Sequence, residues 1–205
     1  SNNVGGLVGA NNGPVSNSYA TGNVSGTGNI GGLVGGSAFG TVSNSYWNIT
    51  TSGQATSVGG TGLTSEQMQT ASNFNGFNFT TTPGASGNNW VMVDADGSLN
   101  NTNGATGATL PMLASEYSTT INNAHQLQLM AMAPATNYTL GANINAASTG
   151  NSMDVWGNSG FVPIGNYGTR FTGTFDGLGR TISGLNINRP TTDYVGLFGY
   201  LDTGS

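Results

Sequence analysis

The chain has 205 residues, of which 35 are Gly, 27 Asn, 27 Thr and 20 Ser, while 36% are hydrophobic and only 5% are charged. Eight acids against three Arg, with no Lys, leave a net charge of -5, which offers no cationic face to a nucleic acid or an anionic lipid surface. The apolar content excludes ordinary charge-rich disorder, and the absence of Cys removes disulfides, thiolate metal sites and Cys nucleophiles together.

In chain order, the first feature is a repeat. Val4, Leu7, Val8 and Gly9 recur as Ile30, Leu33, Val34 and Gly35 at an offset of 26, and one inserted residue then carries "VSNSY" from Val15–Tyr19 to Val42–Tyr46. A fixed period with a tolerated insertion marks a stacked architecture. Each copy holds short β-prone runs between Gly, Asn and Pro turn signals. A propeller blade needs about 40 residues, so the shorter period predicts one rung of a β-solenoid. In that reading Leu7 lies over Leu33 and Val15 over Val42. A third partial copy, Tyr194–Ser205, closes the chain.

The middle reads differently. "LTSEQMQTASNF" has a Thr64–Gln67 capping-box spacing and predicts a helix of about two turns. Phe74 to Gly107 reads as a long irregular loop. "NNAHQLQLMAMA" predicts a second helix with Asn123 as its cap and Leu127, Met130 and Ala131 on one face, ending before Pro134. "YTLGANI" alternates as a strand. In "FTGTFDG" Phe171 and Phe175 face one way, Asp176-Gly177 signals a turn, and Gly184 marks a bend. The expected organisation is therefore repeat rungs over 1–62, a short helix with an irregular insertion over 63–120, and a short helix followed by further rungs over 121–205. No run approaches the roughly 20 apolar residues of a membrane span.

"GGLVG" followed by "VSNSYATGNVSG" resembles the GLUG-type repeat, and the run from "W" at 156 through "GFVPIG" and "FTGTFDGLGRTISGLNI" to "VGLFG" is similar to its companion unit in large bacterial surface adhesins. Those adhesins resemble filamentous haemagglutinin and leave the cell by two-partner secretion. The resemblance covers about residues 1 to 70 and 120 to 201. It implies an all-β fold, a right-handed parallel β-helix with one or two short helices in insertions, displayed at the bacterial cell surface. It further implies adhesion, aggregation or biofilm formation, with polysaccharide or sister adhesin molecules as partners and an outer-membrane export partner for the parent protein.

Chemistry-bearing residues are sparse. Asp94, Asp96 and Asn100 in "DADGSLNN" form an incomplete oxygen-rich loop without the acid that would complete a Ca²⁺ site, and a plain Asp-Gly turn accounts for them. Asp176 and Arg180 flank a turn, and the acids are too scattered for the paired carboxylates of a glycosidase. A β-helix polysaccharide-degrading enzyme and an ice-binding solenoid are therefore the rival readings, and neither a catalytic residue nor a cofactor is expected. His125, the sole histidine, is expected to be solvated at a helix start. Trp47, Trp90 and Trp156, with Tyr46 and Tyr167, offer flat faces for sugar stacking. Equivalent placement makes Tyr19 and Tyr46 a structural stack, which leaves Trp90 and Trp156 as the glycan-binding candidates. Acceptor sequons stand at Asn23, Asn48, Asn78, Asn100 and Asn137.

Overall fold

The computed structural model describes residues 2–37 and 39–202, which fall into two compact units, Ser1–Phe77 and Asn78–Ser205. Both are built mainly from short strands joined by turns, with few helical segments. In the first unit the first copy supplies β1 (Asn3–Gly5), β2 (Val8–Asn11), β3 (Pro14–Ser16) and β4 (Tyr19–Ala20). The second copy supplies β5 (Asn29–Gly31), β6 (Val34–Ser37), β7 (Thr41–Ser43) and β8 (Tyr46–Asn48).

Each strand lies parallel to its counterpart, with Val4 opposite Ile30, Val8 opposite Val34, Val15 opposite Val42 and Tyr19 opposite Tyr46. The sequence offset has become strand register, and the inserted residue falls between β6 and β7. Asn17 and Asn44 both take left-handed backbone, φ 48° and 45°, a conformation Asn tolerates better than branched residues. That is a physical reason for the same Asn in both copies. Outer and inner copies differ in burial: Leu33 is 0% exposed and its predicted partner Leu7 45%. Their backbones meet as expected, Leu7 N donating to Leu33 O at 3.0 Å, but only the second copy is covered on both sides.

The remaining cover comes from α1 (Ile49–Ser52) and β9 (Thr61–Leu63), which lies parallel to β8. Asn48 caps α1 by accepting from Thr50 N and Thr51 N at 2.9 and 3.2 Å. Ala20, Leu33, Val34 and Trp47 form the core here. Gly32 makes room for it, since a Cβ there would fall on the Trp47 indole. The Thr64–Gln67 capping box forms, with Thr64 N donating to Gln67 Oε1 at 2.9 Å and Gln67 N to Thr64 Oγ1 at 3.2 Å. The predicted two-turn helix does not: Gln67–Gln69 and Ala71–Asn73 are separate 3-10 turns. Thr, Ser and Asn in that stretch favour local side-chain bonds over helix, and Asn73 Nδ2 indeed donates to Gln67 O at 2.9 Å. Residues 63–77 belong with the repeats, because Phe74 packs on Tyr46 at 4.9 Å between ring centres and Met68 is fully buried.

In the second unit β10 (Asn78–Phe79), β11 (Asn89–Val91) and β12 (Met112–Leu113) form one sheet. The expected loop over 74–107 is thus corrected: it contains two strands, and Val91, Met92 and Val93 are completely buried. β13 (Thr120–Ile121), β14 (Tyr138–Leu140) and β16 (Phe175–Asp176) make a parallel sheet, and β15 (Ile144–Asn145) pairs parallel with β17 (Ile182–Ser183). The second helix, α2 (Ala124–Leu129), continues into a 3-10 turn over Met130–Met132 and is capped by Asn123, which accepts from Gln126 N. Leu127 and Met130 are buried as predicted, joined by Gln128 and Leu129. Phe198 meets both Phe171 and Phe175, at 4.7 and 5.2 Å between ring centres. The third partial copy pairs inside this unit, Phe198 with Ile164 and Leu201 with Phe171, and its last residues, 203–205, lie outside the described part.

Candidate functional site

The candidate site of the second unit is built on α2. The helix presents His125 between two carboxylates delivered by separate turns: Nδ1 lies 2.8 Å from Glu116 Oε2 and Nε2 3.4 Å from Asp154 Oδ1. Beneath the imidazole, Trp156 meets it edge-on at 5.3 Å. The expected solvated histidine is therefore corrected, and two acids far apart in the sequence, Glu116 and Asp154, converge on it. Hydrogen bonds and charge from Asp154 and Glu116 raise the His125 pKa to about 9, against the opposing effect of burial. Burial pushes the Asp154 carboxyl up, but His125 and the Val155 N–H outweigh it and hold it below its usual value. A ring charged at neutral pH with both nitrogens facing carboxylates has no lone pair to offer as a general base. The arrangement is an ionic clamp, set beside a cavity of about 300 Å³ that Asn123, Asn145 and Ser148 also line.

Trp156 is 1% exposed, and its Nε1 donates to Gln128 Oε1 at 2.9 Å. Its faces are spent on the core, so as a glycan-binding candidate it is withdrawn. Trp47 and Tyr46 are also interior, at 6% and 4% exposure. Trp90 is half-buried in β11, its Nε1 donating to Asn88 Oδ1 at 2.6 Å. The exposed aromatics stand elsewhere. Tyr167 is 67% and Tyr194 54% exposed, and both meet Tyr200 edge-on, at 6.0 and 5.5 Å. Arg170 lies over the Tyr167 and Tyr200 rings at 5.4 and 4.9 Å and bonds Asp202 at 3.2 Å. Of this patch only Tyr167 was singled out in the sequence, because no motif links Tyr194 and Tyr200 to it across the intervening chain.

The acidic loop is a turn. Asp94 is fully buried and accepts from Ser98 Oγ at 3.0 Å and from Asn101 N at 2.9 Å. Burial raises its pKa to about 6, partly opposed by those donors. Asp96 Oδ1 accepts from Ser98 N at 2.9 Å. Asn100 turns away, donating to Thr80 O and accepting from Met92 N at 3.0 and 2.9 Å. Donors, not an open oxygen cage, surround Asp94, so the three residues do not assemble as a Ca²⁺ loop would require. Asp176 Oδ1 caps its own turn through Leu178 N at 2.8 Å, while Arg180 reaches the Leu140 carbonyl. Among the sequons, Asn48 is 2% exposed and occupied as the cap of α1, which closes it to modification in the folded chain.

No family model and no solved structure matches the chain. It is 50% identical over 70 residues to halomucin of Haloquadratum walsbyi, a match covering 32% of this chain and 1% of that protein. It is also 44% identical over 78 residues to a "Putative Gly-rich membrane protein" of Evansella cellulosilytica, covering 35% of this chain and 9% of the relative. The chain thus matches only a small part of these relatives' length. Among its described residues no helix is long and apolar enough to cross a membrane.

Proposed function

We propose that the chain is a structural and adhesive segment of a cell-surface protein, its repeats coiled as a parallel β-helix that spaces and displays contact surfaces. The observation that carries the reading is the residue-for-residue parallel register of the two copies, from Val4 opposite Ile30 to Tyr19 opposite Tyr46. Laddered backbone bonds give such a stack stiffness without Cys, and hydroxyls and amides keep it soluble with almost no charge. The relatives' names, a halomucin and a membrane protein, favour the cell envelope. The glycan-facing groups in this reading are the exposed Tyr167 and the half-buried Trp90, and the partners are matrix polysaccharide or sister molecules. The parent protein would be exported as an adhesin of the GLUG-repeat kind. Beads coated with the chain should be retained on polysaccharide-coated or cell-coated surfaces and release no reducing ends from those polysaccharides. Beads that wash off like uncoated ones would remove the adhesive role.

A further inference from the structure

The first unit carries an open groove of about 740 Å³ along the two repeat copies, a size that holds a small ligand or a few sugar units. Asn3, Asn12, Asn29 and Ser37 supply its polar lining, and Ile30 and Val58 its apolar patches. We infer that this groove binds a neutral polyhydroxylated ligand, a saccharide chain lying against the Asn3–Asn29 amide pair.

Charge chooses the class. Glu66 is the single charged side chain in residues 1–77 and does not line the groove. An ionic ligand entering here would give up hydration and meet no counter-charge. A polyol instead exchanges bonds to water for bonds to amides of similar strength.

The amides are arranged for that exchange. Asn29 Nδ2 donates to Asn3 Oδ1 at 2.9 Å, which orients both groups so that the pair presents the Asn3 amino group as a donor and the Asn29 carbonyl as an acceptor. Hydroxyls use both kinds of partner. Gly36 keeps the pair in place, because a Cβ there would come within 2.8 Å of the Asn3 side chain. Val58, 56% exposed, adds an apolar surface for the C–H face of a sugar ring. A peptide strand is the weaker occupant, since beside Val58 the β6 backbone is already engaged: Val58 N donates to Val34 O at 3.1 Å, and Ser57 Oγ accepts from Val34 N at 2.8 Å.

This assignment rests on the adhesive reading and specifies one of its contact surfaces. Isothermal titration of the intact chain with cellohexaose, chitohexaose, maltohexaose and mannohexaose, and with hexagalacturonate as the charged comparator, tests it. At least one neutral hexasaccharide should bind and hexagalacturonate should not. Asn29→Leu and Ala10→Phe, the latter at an exposed strand position that lines the groove, should weaken binding tenfold or more while the melting temperature stays near that of the parent. Binding that survives both substitutions but disappears in Tyr167→Ala or Trp90→Ala overturns the groove and leaves the adhesive reading standing. A preference for hexagalacturonate overturns the neutral-ligand assignment. No binding to any of the five overturns the groove as a saccharide site, with the bead assay deciding the adhesive role separately.

Discussion

His125 shows how much one ionisable residue can matter in a chain with so few. Its pKa in the folded protein, about 9, lies above the ordinary histidine value of 6.5. The folded state therefore binds the proton more tightly, and the clamp's full contribution is present below about pH 6.5 and is lost as pH rises through about 9. With the ring about one-third exposed at 32%, solvent screening reduces the contribution to about 1–2 kcal/mol. Urea unfolding should become easier between pH 6.5 and 9, and His125→Gln should flatten that slope. An unchanged slope in the variant would mean the two carboxylates do not hold the proton. Asp94 acts in a separate window: its raised pKa of about 6 disfavours the folded state as pH climbs from about 4 to 6, below the His125 range.

Elements in this fold are short, so single polar side chains join them. Gln128 of α2 is fully buried and makes three hydrogen bonds: Nε2 donates to Val162 O at 3.0 Å, and Oε1 accepts from Val162 N and Trp156 Nε1, both at 2.9 Å. Gln128→Leu keeps the volume but strands two donors and an acceptor. It should cost about 2–4 kcal/mol, read as a fall in melting temperature, with a quench or shift of Trp156 fluorescence; a loss below half a kcal/mol would show that the network relaxes freely. The sequence displayed α2 well, because a capping Asn, a helical stripe and a terminating proline all act locally. The register of β1 to β8 was equally legible, since a repeat offset is itself a pairing rule. β10 and β11 were not, because a two- and a three-residue strand within a Gly- and Thr-rich stretch offer no period to read. The Glu116–His125–Asp154 clamp was hidden for another reason. Its members stand 9 and 29 residues from the histidine, brought together by turns whose geometry no motif encodes.

The whole molecule stands on backbone ladders and apolar burial more than on ions. Its described ion pairs are two at His125 and one between Arg170 and Asp202. Screening by salt has little to act on. At pH 7 the unfolding free energy should change by less than about 1 kcal/mol between 0.05 and 1 M NaCl, measured by urea titration. A loss of several kcal/mol across that range would reveal a long-range electrostatic term that the ion pairs do not account for.

The additional residue between β6 and β7 has a consequence for how such a protein can change over generations. Strand partners are preserved on both sides of it, Val8 with Val34 before and Val15 with Val42 after, so the extra length is absorbed where no partner is disturbed. Phe39, 90% exposed, stands in this stretch. Mutation can therefore lengthen or rewrite what this turn exposes while the scaffold behind it is inherited intact.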